Sequence, residues 1–174
     1  SGIDMMSFQR WHLASVPRGQ SEIGMFPEAN FNNDSIISGY NRALFNWYVI
    51  DPLFLRNNSE TPDHIQNDPD QQSNNYVREI FEKEVFPNKE QNGNVPSRIA
   101  VLNLSYYPEE RGPYNFDVEA SSVSSGLNAN GKLNNPESRW GGIMRDITTT
   151  DFNATNVEYI EFWEMDTFVD TDGA

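Results

Sequence analysis

Two long polar stretches constrain the fold of this chain more than any other feature. Residues 57–75 and 121–138 are rich in Asn, Ser, Gly and Pro, which favour turns and loops. Asn is abundant throughout, with 21 among the 174 residues. The segments between these stretches are short and apolar. This pattern predicts a loop-rich β architecture rather than a helical bundle.

The composition excludes several classes of protein. The chain carries 12 basic and 26 acidic residues, a net charge of −14, so a polyanion would be repelled and we expect no nucleic-acid partner. The absence of cysteine excludes disulfides, thiol nucleophiles and cysteine metal sites. The length predicts a single domain over residues 1–174. Because neither end coincides with an element boundary, we expect this segment to be an excerpt from a much larger chain.

Four apolar segments have the composition of β-strands. Residues 7–17 alternate in hydrophobicity. Residues 42–52 are almost wholly apolar, which predicts a strand that is buried on both faces, with a buried helix as the alternative. In residues 98–108 the alternation predicts that one face packs on the core, the face of Ala100, Leu102, Leu104 and Tyr106. Residues 139–147 place two glycines beside Trp140, which is typical of a bulge or a close backbone approach.

The remaining apolar segments raise the choice between helix and strand. In residues 75–86, helical spacing of Val77, Ile80, Phe81 and Val85 predicts a helix that ends before Pro87. In residues 156–166, glutamates recur every third residue, as along one side of a helix, but β-branched and aromatic residues favour a strand. We predict a strand there. The fold class is therefore mainly β with one or two short helices.

Few residues have the pattern of a catalytic or metal site. His12 and His64 are isolated in sequence, and Glu158, Glu161 and Glu164 lack any partner that would indicate a glycosidase pair. Residues 67–71 and 169–173 offer oxygen atoms at alternating positions, as calcium loops do, but neither has the terminal glutamate of an EF-hand. Ordinary turns explain the same residues. We therefore predict no enzymatic activity and no cofactor, and calcium is the only metal that the pattern suggests.

Five longer runs resemble one family. They are GYNRALFNWYVIDPLF, YVREIFEKEVFPNKE, YYPEERGPYNF, KLNNPESRWGGIMR and NVEYIEFWEMD, at residues 39–54, 76–90, 106–116, 132–145 and 156–166. In this order they are similar to the SprA/Sov-type outer-membrane translocon of the Bacteroidetes type IX secretion system, the gliding-motility cell-surface protein. WHLASVP and MFPEANFNND, at residues 11–17 and 25–34, are similar to the lead-in of that family.

The resemblance implies a fold and a role but assigns no residue a function. It implies an extramembrane fragment, associated with the outer membrane, of a protein whose remainder forms a large β-barrel. The implied fold is a β-sandwich of the galactose-binding-like jelly-roll type, incomplete at one or both ends, in which residues 156–166 lie beside the strand of residues 139–145. The implied partners are proteins: the barrel, accessory subunits and secreted cargo. Unpaired strand edges also predict self-association.

Two functions follow as alternatives from these observations. The first is a non-catalytic structural, gating or protein-binding domain of the translocon. The second is a carbohydrate-binding module, because jelly rolls bind sugars through exposed aromatic side chains. The candidate surface aromatic residues are Tyr106, Tyr107 and Tyr114, with Trp140 as a further member whose alternative role is core packing.

Overall fold

The computed structural model describes residues 7–18, 24–31, 35–90, 93, 95–147, 151, 153 and 158–166. The chain is mainly β: the strands are β1 (His12–Leu13), β2 (Ala43–Tyr48), β3 (Ile80–Phe81), β4 (Arg98–Ile99), β5 (Asn103–Arg111) and β6 (Ile143–Met144). Three short α-helices are described, α1 (Asp63–Gln66), α2 (Pro69–Ser73) and α3 (Glu82–Val85). Single 3-10 turns lie at Phe8–Arg10, Pro27–Asn30, Ile36–Gly39, Pro52–Phe54 and Pro136–Ser138.

The strands pair in twos. β1 pairs with β6, β2 with β5, and β3 with β4. The chain forms two compact units: unit 1 comprises Ser1–Met6, Val49–Asn103 and Ile147–Ala174, and unit 2 comprises Ser7–Tyr48 and Leu104–Asp146. The single domain expected from the length stays a prediction.

In unit 1, β3 and β4 form an antiparallel pair with Ile80 opposite Ile99. The predicted helix over residues 75–86 is therefore wrong for most of its length, because its centre is a strand. Helical order is confined to α3, which begins after Phe81. The Glu84 carboxylate accepts the Phe81 amide at 2.9 Å, which satisfies one of the backbone donors that the start of a helix leaves unpaired. The apolar residues of this segment have helical spacing, but only the single turn of α3 is helical.

The polar stretch of residues 57–75 contains α1 and α2 rather than a continuous loop. Ile65 of α1 is buried, and so is Thr61, whose hydroxyl lies 2.8 Å from the Leu53 carbonyl oxygen and 2.7 Å from that of Arg56. Asp68 caps α2 by accepting the Gln71 amide at 3.0 Å. These short local bonds replace the apolar packing that the sequence lacks here.

Glu79 connects three segments of unit 1. Its carboxylate accepts hydrogen bonds from the Arg56 Nε at 2.8 Å and from the Arg98 Nε at 2.8 Å. Arg98 also lies over the Phe81 ring, 5.1 Å from its centre. The hydrogen bond from Arg56 is the main cause that holds the pKa of Glu79 below its ordinary value, and Arg98 adds to it. Glu79 thus anchors β3 to β4 and to the chain before α1.

In unit 2, the predicted strand over residues 42–52 is confirmed at β2, but only Ala43 within it is fully buried. The prediction that both faces are buried is wrong. The Arg42 carbonyl accepts the Gly112 amide at 3.1 Å, and the Tyr48 and Ser105 hydroxyls lie 3.1 Å apart, so β2 and β5 run antiparallel. A two-stranded sheet leaves much of its surface uncovered.

The predicted strand over residues 98–108 is divided between β4 and β5, and the face assigned to the core is wrong. Leu104 is 56% exposed and Tyr106 is also exposed, whereas Asn103 and Ser105 are half-buried. The Tyr106 ring contacts only Phe45 of β2 among the ring pairs described, with centres 6.2 Å apart. The more buried side of β5 is therefore its polar side, because Ser105 lies against Tyr48 there.

The glycine prediction is confirmed at Gly141. A Cβ at this position would lie 2.6 Å from the Phe45 Cβ, so β2 approaches the backbone too closely for any side chain. Trp140 forms an isolated bridge with Arg42, and β6 follows, pairing antiparallel with β1. The strand predicted over residues 7–17 is reduced to β1, because Phe8–Arg10 forms a 3-10 turn.

The interior of unit 2 is polar. Only three apolar side chains of its described residues are buried, Val16, Ala43 and Leu133. Seven buried residues are polar or charged: Glu28, Asn41, Arg42, Asn115, Asp117, Ser124 and Arg139. Buried polar groups are tolerated only when hydrogen bonds replace those made to water. The bonds of this set therefore determine how unit 2 folds.

Arg139 is the centre of the buried set. Its guanidinium donates to the carbonyl oxygens of Tyr40 (3.0 Å), Gly126 (3.1 Å) and Asn134 (2.9 Å), to Asn41 Oδ1 (3.2 Å) and to Ser124 Oγ (2.9 Å). The Asp117 carboxylate lies 3.6 Å away and also accepts the Ser124 hydroxyl. Burial lowers the pKa of Arg139, and the charge of Asp117 opposes that shift.

Glu28 forms the second half of the buried set. Its fully buried carboxylate accepts the Asn41 amide nitrogen at 2.9 Å and the Trp140 indole nitrogen at 2.7 Å. Phe26 packs edge-on against Trp140, with ring centres 5.8 Å apart. Glu28 therefore attaches the Pro27–Asn30 turn to the strand region of unit 2.

We predict that Glu79→Gln lowers the unfolding free energy by about 1 kcal/mol at neutral pH, because it removes the charge that pairs two arginines. The folded pKa of Glu79 is depressed, so its contribution is present above the unfolded value of about 4.3. It is lost as the pH falls through the folded pKa. Urea unfolding at pH 7 and pH 3 should show a difference from wild type that shrinks at pH 3.

Glu60→Gln is the matched control, because Glu60 is exposed in the same unit and no ion pair of its side chain is described. It should stay within about 0.5 kcal/mol of wild type at both pH values. An equal loss for Glu79→Gln at pH 7 and pH 3 would contradict the assignment.

Candidate functional site

A groove of about 310 Å³ lies in unit 2 between three chain segments. We call it the Tyr114 groove. Ser15 and Val16 follow β1, the Ile36–Gly39 turn and Arg42 precede β2, and Tyr114 and Phe116 follow β5. The described residues that line it are Ser15, Val16, Ser35, Ile36, Ser38, Gly39, Arg42, Tyr114 and Phe116. Its volume is at the lower end of the range for ligand pockets.

Among the described residues, Arg42 is the only charged residue that lines the groove. It is 7% exposed, and its guanidinium donates to the carbonyl oxygens of Pro113 (3.0 Å) and Ala14 (3.1 Å). It also lies over the Trp140 ring, 5.1 Å from its centre. No carboxylate forms an ion pair with Arg42 among the described residues, and its buried Nε has no acceptor among them. Burial lowers the pKa of Arg42, although the charge of Glu28 opposes this.

Tyr114 is held in a conformation that is costly for its residue type. Its φ is +61°, in the left-handed region, yet its side chain is 72% exposed. Two neighbours hold this backbone. A Cβ on Gly39 would lie 2.6 Å from the Tyr114 carbonyl oxygen, and the Asn115 side-chain amide donates to the carbonyl oxygens of Tyr40 (2.9 Å) and Arg42 (2.7 Å). Strain of this kind concentrates at functional sites.

The walls of the groove are apolar and accessible. Phe116 and Ile36 are each 58% exposed. Ser35 caps the Ile36–Gly39 turn by accepting the Ile37 amide at 3.3 Å, so its hydroxyl hydrogen is not used in that bond. Ser38 donates its own hydroxyl hydrogen to the Ser35 carbonyl at 2.8 Å. The groove thus combines apolar walls, hydroxyl groups and a buried cation.

The structure separates the aromatic residues that the sequence grouped as a binding platform. Tyr114 lines the groove, whereas Tyr106 and Tyr107 are exposed on β5 and do not line it. Trp140 is half-buried and bonded to Glu28, which matches the core-packing alternative. Tyr114 is therefore the predicted surface residue that joins the candidate site.

A second accessible surface lies in unit 1. Residues 158–166, which we call the aromatic segment, belong to no helix or strand. Five large apolar side chains in it are exposed, with Trp163 at 74%: Tyr159, Ile160, Phe162, Trp163 and Met165. Trp163 contacts Phe86 edge-on at 6.0 Å between ring centres. Four carboxylates lie between these residues, and the segment contains no basic residue.

The strand predicted over residues 156–166 is therefore wrong for residues 158–166, and residues 156 and 157 lie outside the described residues. β6 pairs with β1, so the expected pairing of residues 156–166 with the strand of residues 139–145 is not observed either. Composition favoured a strand, but a strand requires a hydrogen-bonded neighbour, and local composition cannot specify one.

The negative charge of the chain is divided unequally between the two units. Unit 1 contains 5 basic and 17 acidic residues, a net charge of −12, whereas unit 2 contains 7 basic and 9 acidic residues, a net charge of −2. The aromatic segment belongs to the strongly acidic unit and the Tyr114 groove to the nearly neutral one. Long-range attraction of a basic partner would therefore act mainly on unit 1.

The other residues that the sequence offered for catalysis or metal binding form no metal site among the described residues. His12 on β1 and His64 on α1 are both exposed, as are Glu158, Glu161 and Glu164. Asp68 of the calcium-like stretch of residues 67–71 caps α2, and residues 169–173 lie outside the described residues. Among the described residues, no group of three or more His, Cys, Asp or Glu side chains could hold a metal.

Sequence reasoning missed Arg42, Ile36 and Phe116. Arg42 had a recognisable signal, because a lone arginine that opens an almost wholly apolar strand indicates a buried cation. Ile36 and Phe116 had none, since each becomes part of a site only when two distant segments meet.

The comparisons with known proteins add no assignment. No protein-family model matches the chain, and no curated protein matches it.

We predict opposite effects for two substitutions that meet at the groove. Gly39→Ala should lower the unfolding free energy by about 1–3 kcal/mol, because its Cβ would overlap the Tyr114 carbonyl oxygen. Tyr114→Gly should leave the unfolding free energy unchanged or raise it by up to about 1 kcal/mol, because glycine adopts positive φ without cost and the lost ring is largely exposed. Urea unfolding measures both. A larger loss for Tyr114→Gly than for Gly39→Ala would contradict this account.

Proposed function

We propose that this chain is a non-catalytic, extramembrane, protein-binding domain of a type IX secretion outer-membrane translocon, with a structural or gating role in protein secretion and gliding motility. Its partners in this proposal are proteins: the translocon barrel, accessory subunits and secreted cargo. The resemblance of five sequence runs to the SprA/Sov-type family supports the assignment to secretion. The exposed aromatic segment is the observation that carries the binding function.

The aromatic segment has the chemistry of a protein-binding surface. Tryptophan, tyrosine and phenylalanine dominate the energetics of protein interfaces, because each buries a large area with few rotatable bonds. Here all three residue types are exposed within nine residues, beside Ile160 and Met165. Contiguous apolar exposure on this scale is typical of interaction sites. Covering even half of this surface would contribute several kcal/mol to association, at about 25 cal/mol per Å².

The charge of the segment favours a basic partner. Glu158, Glu161, Glu164 and Asp166 lie between the apolar residues, and the whole of unit 1 is strongly acidic. Charges at the rim of an interface accelerate association and exclude partners of like charge. A protein surface with apolar pockets and a Lys/Arg rim would therefore bind this segment.

The proposal includes a β-sandwich of the galactose-binding-like jelly-roll type. Support comes from the exposed apolar side of β5, where Leu104 and Tyr106 have the pattern of a face that packs on a second sheet. Pairs of strands are marginally stable alone, which favours additional strands from a partner or from the parent protein. None of the helices among the described residues is long and apolar enough to span a membrane.

A carbohydrate-binding module is the second candidate, and one observation favours it. Tyr114 presents a largely exposed ring beside the hydroxyl groups of Ser15 and Ser35, and sugars stack on such rings. A glycan array with the purified chain distinguishes this alternative: binding that Tyr114→Gly abolishes would favour the carbohydrate module over the protein-binding domain.

We predict that replacing Phe162 and Trp163 together by Ser in the parent protein, in a host with type IX secretion, impairs secretion and gliding while the barrel remains inserted. The reason is the loss of two aromatic anchors, each of which typically contributes about 2 kcal/mol or more at an interface. Secreted cargo and gliding motility are the readouts, and surface labelling of the barrel measures insertion. The same double variant should retain the unfolding free energy of the isolated chain within about 1 kcal/mol, because both side chains are exposed.

Val95→Ser is the matched control, because Val95 is exposed in the same unit but lies outside the aromatic segment. Cells that carry Val95→Ser in the parent protein should secrete cargo and glide as wild-type cells do. Normal secretion by the Phe162/Trp163 variant would defeat the proposal, and so would hydrolysis of a glycan by the purified chain.

A further inference from the structure

The Tyr114 groove has three features that are costly for the stability of unit 2. Arg42 keeps a positive charge in a largely buried position without an ion pair among the described residues. Tyr114 keeps a strained backbone while its ring faces water. Phe116 is exposed two residues later on the same wall. A fold that needed only stability would replace Tyr114 with glycine and pair or remove the cation.

The groove selects its ligand by charge. A cation in a cleft with low-dielectric walls produces a stronger field in the cleft than the same cation in water. Glu28 lies near enough to oppose part of the field of Arg42, but its carboxylate is bonded to Asn41 and Trp140, forms no ion pair with Arg42 and is not among the described residues that line the groove. The charge of Arg42 therefore favours an anionic group in the groove, and the Ser35 hydroxyl, for whose hydrogen no acceptor is described, is a suitable donor to the same group.

The groove also selects by shape. Apolar walls made by Ile36, Tyr114 and Phe116 favour hydrocarbon on either side of the anionic group. A volume of about 310 Å³ holds one side chain with parts of its neighbours and excludes a folded surface. A phosphate or sulfate, which is hydrated on all sides, would leave these walls uncovered.

We propose that the Tyr114 groove binds a glutamate or aspartate side chain that lies between apolar residues in an extended peptide segment of a partner protein. This names the chemistry that one site of the proposed protein-binding domain recognises, and it rests on the proposed function only for the expectation that the ligand is a protein. The carboxylate lies toward Arg42 and Ser35, and the apolar neighbours contact Tyr114, Phe116 and Ile36.

The test uses the whole chain and a blocked pentapeptide with one glutamate between two pairs of leucines. Titration followed by NMR should shift the amide signals of Ser35, Gly39 and Phe116, with a dissociation constant on the order of 1 mM. The same peptide with glutamine should bind at least about tenfold more weakly, because it lacks the charge. Equal binding of the glutamine peptide, or shifts confined to other residues, would overturn the proposal.

Variants separate the contribution of the cation from that of the walls. Tyr114→Gly and Phe116→Ala should each weaken glutamate-peptide binding by about fivefold or more while the chain stays folded. Arg42→Lys keeps a cation and should retain the preference for glutamate, whereas Arg42→Met should abolish that preference. If Arg42→Met does not fold, the proposal is still tested by comparing the glutamate and glutamine peptides and by the variants Tyr114→Gly and Phe116→Ala.

A last arm of the experiment distinguishes a sugar acid from a peptide. An oligosaccharide that contains glucuronate carries the same carboxylate on a polar ring. Binding of that oligosaccharide at the groove without binding of the glutamate peptide would overturn the proposal. Because the assay requires neither the barrel nor secretion, it can fail while the translocon assignment holds, and it can succeed while that assignment fails.

Discussion

The buried contact of Arg139 with Asp117 is the interaction on which unit 2 depends. Removing two charges from water is costly, and the mutual attraction of the pair offsets this only when other hydrogen bonds satisfy the remaining donors and acceptors. Arg139 meets that requirement with bonds to five residues other than Asp117. Asp117 accepts the Ser124 hydroxyl, and its Oδ1 atom has no hydrogen-bond partner among the described residues. With only three buried apolar side chains among its described residues, unit 2 relies on this network where other domains rely on hydrocarbon.

The same network gives the Tyr114 groove its geometry. Arg139 binds the Tyr40 carbonyl and the Asn41 side chain, immediately before Arg42 in the chain. Asn115 binds the carbonyl oxygens of Tyr40 and Arg42, immediately after Tyr114. The strained tyrosine and the buried cation are thus held by neighbours that are themselves fixed to the interior. A site built in this way is preorganised, so binding does not have to order it.

The two units offer different chemistry to a partner. In unit 1 the aromatic segment presents apolar side chains among carboxylates, within a unit of net charge −12. In unit 2 the Tyr114 groove presents a cation beneath exposed rings. The protein-binding function proposed above would use both surfaces.

The sequence predicts those parts of the fold that local chemistry determines. β2 was predictable because half of its residues are aromatic and because its segment lies between Gly39 and Pro52. The close approach at Gly141 was predictable because paired glycines beside a tryptophan have few other causes. Prediction from the local sequence was wrong where pairing with a distant segment determines the secondary structure. Ile80 and Phe81 form a strand only because Arg98 and Ile99 lie beside them.

The candidate site was mostly beyond prediction for the same reason. Tyr114 was a candidate because exposed aromatics mark binding surfaces, but its neighbours Ile36, Gly39 and Arg42 lie more than 70 residues away in the chain. The polar interior that brings them together has no periodic pattern in the sequence. Its members are single polar residues in loops, and hydrophobic periodicity does not detect such residues.

A double-mutant cycle on Asp117 and Arg139 tests the dependence of unit 2 on its buried ion pair most directly. Each single variant, Asp117→Asn and Arg139→Met, leaves the other side chain as a buried charge without its counterion and should lower the unfolding free energy by about 3–5 kcal/mol. The double variant should lose less than the sum of the two by at least about 1 kcal/mol, since the two residues contact each other. Losses below about 1 kcal/mol that add without coupling would contradict the account, because the interior of unit 2 would then be held by something other than this pair.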